Sequence, residues 1–373
     1  MSSIRSTVAR LFDGLSTEVP DAPDADFVVA PSDAEGVARV LDVASEHRLT
    51  VVPWGSGVHQ GMGGRVTPDI VVSTNEMSEV VDWRPDDLTV VVDAGVTVAD
   101  LESLLAERGQ TAVLTDTTRD ATVGGVVAAG VSGYRRLRYG PTHDRLLQVV
   151  LTTGDGRVVT AGGQVVKNVT GYDVPRLVAG SFGSLGVITR LCFKLWPLGS
   201  AEATFEVSDP ADAFAATHRP LAVLEVDGRG VVMVSGTPEE IAGQAERLGA
   251  EPKEGLRWPS QPTGPIRLSV RVPPGQVRAA IDRLPDPRGY VAQHGVGEVA
   301  AAFDDVAPDA VTELRGWAES IGGAVVVVEA PAEWYELVDP WGTPPTTLDL
   351  QRRVKAAFDP IGVMVPGRLP GGL

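Results

Sequence analysis

The tightest constraint on this chain is the run Ala121-Thr-Val-Gly-Gly-Val-Val-Ala-Ala-Gly-Val-Ser-Gly133, which is uncharged and built of small or β-branched residues. A backbone so free of side-chain bulk can come within contact distance of a large flat ligand, or of another element of the fold. Two further glycine-rich stretches flank it, Pro53 to Gly64 upstream and Gly180-Ser-Phe-Gly-Ser-Leu-Gly-Val-Ile188 downstream. Each stretch alone fits tight helix–strand packing or a surface loop as well as a ligand wall. Three in one chain favour a wall built for a cofactor.

The surrounding pattern is α+β. Phe27-Val-Val reads as a strand, and Ser32-Asp-Ala-Glu35 is a capping-box pattern opening a helix with Val37, Val40, Leu41 and Ala44 on its apolar face. Leu49 to Val52 is the next strand, followed by Pro53-Trp-Gly-Ser-Gly-Val-His-Gln-Gly-Met-Gly-Gly64. A Rossmann loop opens a helix directly after its strand, whereas this loop runs into another apolar run, Ile70 to Ser73, so a Rossmann site is disfavoured. A nest of backbone N–H groups around a pyrophosphate stays open, as does a plain surface loop. Leu88 to Val92 reads as a strand, Val98 to Arg108 as a helix ended by Gly109, and Thr122 as the cap of a short helix. Thr153-Gly-Asp-Gly156 is a hairpin turn between Leu146–Leu151 and Arg157–Thr160, and Val187 to Leu195 is a strand.

The texture changes near Pro197-Leu-Gly-Ser200. Strands are expected at 203–207, 221–226, 231–234, 266–272, 290–294 and 324–329, with helices at 238–248, 275–284 and 308–321. That spacing suits an antiparallel sheet with helices on one face. The expected organisation is a cofactor domain over 1–199, a cap-type α+β domain over 200–334, and a segment 335–373 that returns to the first domain.

Composition excludes other classes. The formal charge of −17 and the lack of any nucleic-acid-binding motif speak against a nucleic-acid partner. No stretch is long and apolar enough to span a bilayer, and no signal peptide is read at the N-terminus, so the expected location is cytoplasmic, with attachment at the inner membrane through partners as the alternative. The single cysteine, Cys192, cannot form an internal disulfide or a cysteine-based metal site, so any iron–sulfur cluster belongs to a partner.

The joint order of Pro53-x-Gly-x-Gly57, Ala121-Thr-Val-Gly-Gly125, Ser132-Gly133 with Tyr139-Gly140, Thr153-Gly-Asp-Gly156, Lys167-Asn-Val-Thr-Gly-Tyr-Asp173, Gly180 to Thr189 and Phe358-Asp-Pro-x-Gly362 with Pro366-Gly-Arg368 resembles the PCMH-type FAD-binding domain of the vanillyl-alcohol oxidase superfamily. Within it the resemblance is to the FAD-binding E subunit of glycolate oxidase. It implies a two-subdomain fold sandwiching an extended FAD, plus a smaller cap. It implies that the loop Trp54, Gly55, Ser56, Gly57, Val58 and His59 receives the pyrophosphate. Thr115, Asp116, Ala121, Thr122, Val123, Gly124, Gly125, Ser132, Gly133, Tyr139 and Gly140 would line the ribityl and isoalloxazine region, and Gly186, Val187 and Ile188 would contact FAD through main-chain atoms. Some relatives attach FAD through a histidine in the first loop; here Val58 follows Gly57 and the histidine is one place later, so non-covalent FAD is expected.

Oxidising a 2-hydroxy acid needs a hydride acceptor, a cation for the carboxylate and a base for the hydroxyl proton. Cation candidates are Arg135, Arg136, Arg138 and Lys167, each equally a candidate for a structural ion pair; of the histidines, His59, His143 and His294 remain. Catalytic relatives carry a metal-supporting pair of histidine motifs, and His294-Gly-Val-Gly-Glu298 is only a partial match, so no metal is expected and His294 is as well explained structurally. These departures, and Phe182 where stand-alone dehydrogenases usually have glutamate, imply a subunit working with a second flavoprotein subunit and an iron–sulfur subunit. A self-sufficient FAD oxidoreductase acting on another hydroxy acid, sugar or lactone is the first alternative, and an FAD-free structural subunit the second.

Overall fold

A computed structural model describes residues 8–9, 11–12, 19, 22–114, 118–164, 171–256 and 258–373. Three expected site residues, Thr115, Asp116 and Lys167, lie outside them.

The first unit begins with three parallel strands in the order β1 (Phe27–Val29), β3 (Ile70–Ser73), β2 (Val51–Trp54). Parallel neighbours need a crossover, and the helix Ala34–His47 supplies it between β1 and β2. Its apolar stripe, Val37, Val40, Leu41 and Ala44, is fully buried. Its cap is Asp33, whose side chain accepts from the Gly36 amide, and not Ser32; the capping-box reading was one residue out of register.

Next come β4 (Val80–Arg84), β5 (Thr89–Asp93), the two-residue β6 (Gln110–Thr111), β7 (Leu146–Thr152), β8 (Val158–Gly162), β9 (Val187–Lys194) and β10 (Trp196–Pro197). Five of these form an antiparallel sheet in the order β4-β5-β9-β7-β8, and β6 pairs with β10. The helices Val98–Ala106 and Val123–Ala129 bury Val98, Leu101, Leu105, Val123, Val126 and Val127 in one core with β5, β7 and β9. Both are capped by threonine: Thr97 accepts from the Asp100 amide and Thr122 from the Gly125 amide. Strand β9 therefore delivers the loop 180–186 beside the helix Val123–Ala129.

Beyond β10 lies a seven-stranded, wholly antiparallel sheet: β11 (Ala201–Val207), β12 (Ala222–Val226), β13 (Arg229–Gly236), β14 (Ile266–Arg271), β15 (Gly289–Gln293), β16 (Glu298–Phe303) and β17 (Ala324–Glu329). Its order is β11-β13-β12-β15-β16-β14-β17. Alternate residues of each strand point to opposite faces. Val223 and Val232 belong to a core with the helix Pro238–Leu248, while Leu268, Val270, Val299 and Val325 share a core with the helices Val277–Ile281 and Pro308–Ser320. The other face turns to the first unit, where Leu224, Met233 and Val291 pack with Tyr134. Strand β16 and the helix Pro210–Ala216 had no counterpart in the sequence reading.

The last segment packs on the first unit. Val365 donates to the Val51 carbonyl, the Val363 carbonyl accepts from Val51, and Met364 bridges to the same strand. Asp359, closing the helix Leu348–Phe358, accepts from the amides of Gly362, Val363 and Met364 and from Lys355 Nζ at 2.9–3.1 Å. An ideal Cβ on Gly154 would fall 2.4 Å from Asp359 Oδ1, so two motifs some two hundred residues apart in sequence meet here. Among the described residues no helix is long and apolar enough to cross a membrane, and no group of three or more histidine, cysteine, aspartate or glutamate side chains could hold a metal.

Candidate functional site

The three glycine-rich stretches converge on one slot. Its walls are the loop Pro53–Gln60, the helix start Ala121 to Ala129, and Phe182, Gly183 and Gly186 to Ile188, with Thr74, Ala94 and Arg368. The glycines have separate reasons. Ideal Cβ atoms on Gly124 and Gly186 would strike the Ala94 side chain at 2.7 Å and the Thr152 carbonyl at 2.3 Å, so these two serve close packing. A Cβ on Gly125 would meet only Thr122 Oγ1, at 3.1 Å, and otherwise point into open space. Gly125 and Ala128 lie one turn apart on the partly exposed face of their helix and line the slot together.

The first loop is rich in unclaimed donors. The backbone N–H groups of Gly55, Ser56, Gly57, Val58 and His59 have no acceptor among the described residues, while those of Gln60 and Met62 close turns onto Gly57 and His59. Consecutive unpaired amides in a turn form a concavity suited to an anion such as a phosphate. The loop is fixed from outside: Gln60 Nε2 donates to the Pro53 carbonyl, Gly64 donates to the Arg368 carbonyl, and Tyr335 Oη donates to Gly61.

At its far end the slot opens into a larger cavity of about 270 Å³ between the two units. Val58, His59, Ser132 and Arg136 line it from the first unit; Arg267, Ser269, Arg271, Gln293 and Glu298 line it from the second sheet. Arg136 Nη1 lies 3.1 Å from Glu298 Oε2, which also accepts from Gln293 Nε2 at 3.1 Å, and Ser269 Oγ donates to Glu298 Oε1 at 2.9 Å. Arg267 pairs with Glu329 through Nε at 2.8 Å. His59 borders both spaces, and its Nε2 is buried without a partner. Burial, helped by the Arg267 charge, lowers its pKa to about 4, so the imidazole is neutral near pH 7.

Of the expected cofactor residues, Trp54, Gly55, Ser56, Gly57, Val58, His59, Ala121, Thr122, Gly124, Gly125, Gly186, Val187 and Ile188 line the slot. Ser132 lines the adjoining cavity. Val123, Gly133, Tyr139 and Gly140 line neither. Val123 is a core residue, and the Tyr139 ring packs 5.3 Å from Trp196. The Tyr139 and Gly140 carbonyls accept from the buried Arg145, which also holds the carbonyls of Ala112 and Val113 and so braces the strand end leading to Thr115. Arg138 points away from the slot, donating to the Arg219 carbonyl. His294 is turned to the helix-bearing face of the second sheet, with Nε2 3.4 Å from the buried Glu225, while its neighbour Gln293 faces the cavity. Burial lowers the His294 pKa against the opposing pull of Glu225.

Sequence reasoning missed Arg267, Ser269 and Arg271, and named Arg368 only as part of the terminal Pro-Gly-Arg motif. The first three were present as a signal: Ile266-Arg-Leu-Ser-Val-Arg271 alternates strictly, so its polar set shares one face. For Arg368 the motif Pro366-Gly-Arg368 was the signal, but nothing local told that the arginine is buried in the slot wall.

A slot walled by glycines, ending in a nest of free amides and continuing into a polar cavity, defines a binding fold for an extended, phosphate-bearing cofactor. Residues 25–162 match the family of FAD binding domains. That match supports FAD as the cofactor. It is 34% identical over 183 residues to glycolate oxidase subunit GlcD of Bacillus subtilis (strain 168), covering 48% of this chain and 38% of that protein. It is 30% identical over 189 residues to glycolate oxidase subunit GlcE of Escherichia coli (strain K12), covering 48% and 54%. Over nearly its whole length, 91% of this chain and 90% of the other, it is 26% identical to the uncharacterized FAD-linked oxidoreductase Rv2280 of Mycobacterium tuberculosis (strain ATCC 25618 / H37Rv). Among solved structures it shares its fold with alkyldihydroxyacetonephosphate synthase, at a TM-score of 0.66 and 14% identity over 91% of this chain and 76% of that one. The chain spans about two-fifths of the length of GlcD and just over half of GlcE.

Proposed function

We propose that this protein is an FAD-dependent oxidoreductase subunit of a glycolate oxidase-like complex, acting on the CH–OH group of a small 2-hydroxy acid. The observation that carries the reading is the continuity of the glycine slot with a cavity that presents Arg136, Arg267 and Arg271 from two separate units. Bound FAD supplies the hydride acceptor. The slot holds it without covalent attachment: the amides of Gly55 to His59 meet its anionic part, and Gly125 and Ala128 leave room for its bulk. His59 is neutral near pH 7 and keeps a free ring nitrogen at the junction, where it can accept a hydrogen bond from a substrate hydroxyl. The arginines of the cavity orient a carboxylate, and Glu298 fixes Arg136 in place. The electron partner in this reading is a second flavoprotein subunit working with an iron–sulfur subunit.

A self-sufficient oxidoreductase is the second reading, favoured by the same cavity, which already offers a carboxylate site within one chain. Anaerobic addition of glycolate or D-lactate to the isolated, FAD-loaded chain separates the two. Under the complex reading the flavin absorbance near its visible maximum persists until the partner subunits are added. Bleaching by substrate alone establishes the second reading. Persistent colour with and without partners removes both.

A further inference from the structure

Arg368 is a buried charge beside the slot. It is only 5% exposed and lines the cofactor slot. Its guanidinium donates Nη1 to the carbonyls of Gln60 and Met62 at 3.0 and 3.1 Å, and Nη2 to Gln60 Oε1 at 3.0 Å. The N–H on Nε is buried and has no partner. Among the described residues no carboxylate lies within ion-pairing distance, so the positive charge is neutralised by nothing but carbonyl dipoles. A buried, unpaired charge costs several kcal/mol unless something compensates it. Burial depresses its pKa, which is the same cost seen from the proton's side.

The position of Arg368 is fixed through its backbone as well. Its own carbonyl accepts from the Gly64 amide at 3.0 Å and from Trp341 Nε1 at 2.7 Å. Ideal Cβ atoms on Gly63 and Gly64 would fall 2.6 and 2.1 Å from the carbonyl oxygens of Arg368 and Gly367. The loop glycines thus allow the last segment to lie directly against the loop that lines the slot. Two independent features, the row of amides from Gly55 to His59 and a cation whose buried Nε–H is unused, meet at one wall.

We propose that Arg368 is a phosphate-binding residue of the slot, donating its free N–H and its charge to the cofactor's pyrophosphate while its other donors hold the Gly-rich loop. The proposal rests on the placement of the pyrophosphate at Gly55 to His59. It makes the last segment part of the cofactor site, so that cofactor binding and docking of that segment reinforce each other.

The test compares FAD with riboflavin, which lacks both phosphates, on flavin-stripped full-length protein, read by quenching of flavin fluorescence. Wild-type protein prefers FAD. Arg368→Gln, which keeps a hydrogen-bonding group and loses the charge, is expected to weaken FAD about tenfold or more while leaving riboflavin within about threefold, the scale of a charge-assisted contact. Equal loss of both flavins reduces Arg368 to a brace of the loop and overturns the proposal, as does an unchanged preference for FAD. If Arg368→Gln does not fold, Arg368→Lys keeps the charge and can reach a loop carbonyl. Its FAD affinity should fall several-fold through loss of the planar fork, with riboflavin unaffected, and unchanged FAD affinity overturns the proposal. Wild-type protein that binds the two flavins equally well removes the pyrophosphate placement itself, before any variant is made.

Discussion

Gly124 and Gly125 are chain neighbours that both line the slot, yet their substitution should act in opposite directions, because an added methyl group would strike Ala94 at the first and meet only Thr122 at the second. A methyl group at Gly124 has nowhere to go, with Ala94 Cβ at 2.7 Å and its carbonyl at 2.9 Å. Gly124→Ala should therefore cost the apoprotein about 1–3 kcal/mol through forced displacement of β5 from the helix. At Gly125 the methyl group meets only Thr122 Oγ1, which need give by a few tenths of an ångström, and replacing a helical glycine with alanine gains roughly 0.5–1 kcal/mol. Gly125→Ala should leave the apoprotein's melting temperature equal or higher and still weaken FAD, since the new methyl occupies the slot. Thermal melts with and without FAD check both at once. A Gly125→Ala protein that gains as much stability from FAD as the wild type does would show that the slot is not the flavin site.

At the level of elements, the knot around Asp359 explains why Phe358-Asp-Pro-x-Gly362 is more than a helix stop. The carboxylate has no exposed surface and satisfies three backbone amides and Lys355, whose ammonium also donates to the carbonyls of Ser184 and Met364. Asp359→Ala strands three amides and a nearly buried ammonium, a cost of about 3–5 kcal/mol. Lys355→Met leaves the carboxylate with its three amide donors and should cost clearly less. Urea unfolding with an unchanged slope and a shifted midpoint reads the difference, and equal costs would mean that the ion pair, and not the amide set, organises the segment. Elements of this kind were legible where the signal is local. Thr122 capping a short helix, Val98 beginning another and the 153–156 hairpin follow from neighbours in sequence. Strand β16 did not, because Glu298-Val-Ala-Ala-Ala-Phe303 has weak strand preference and is held by pairing with β14 and β15 on both sides. The slot was legible as three glycine stretches, since glycine reports a backbone approach. Arg368 was legible only as the end of Pro366-Gly-Arg368 and not as a buried cation, because its environment is assembled from residues some three hundred positions away.

The whole molecule places the larger cavity at the junction of two sheets, so the electrostatics of that space depend on both. Glu298, on β16 of the second unit, sits against Arg136 of the first with its side chain 17% exposed, and is also held by Ser269 and Gln293. Its negative charge subtracts from the attraction that the cavity offers an anion. Glu298→Gln is close in shape and keeps hydrogen-bonding capacity, so the fold should change little, but the cavity becomes one unit more positive. At a separation of about 5 Å and an effective dielectric of about 20, one charge is worth roughly 3 kcal/mol before screening, and about tenfold tighter carboxylate binding is the expected residue of that after solvent and salt. Arg136→Gln should do the reverse. Titrating glycolate into the FAD-loaded protein and reading the perturbation of the flavin spectrum measures both variants on one scale. If the two substitutions move the apparent affinity in the same direction, Arg136 and Glu298 act as a mechanical clasp between the units, and the carboxylate must be sought at Arg267 or Arg271.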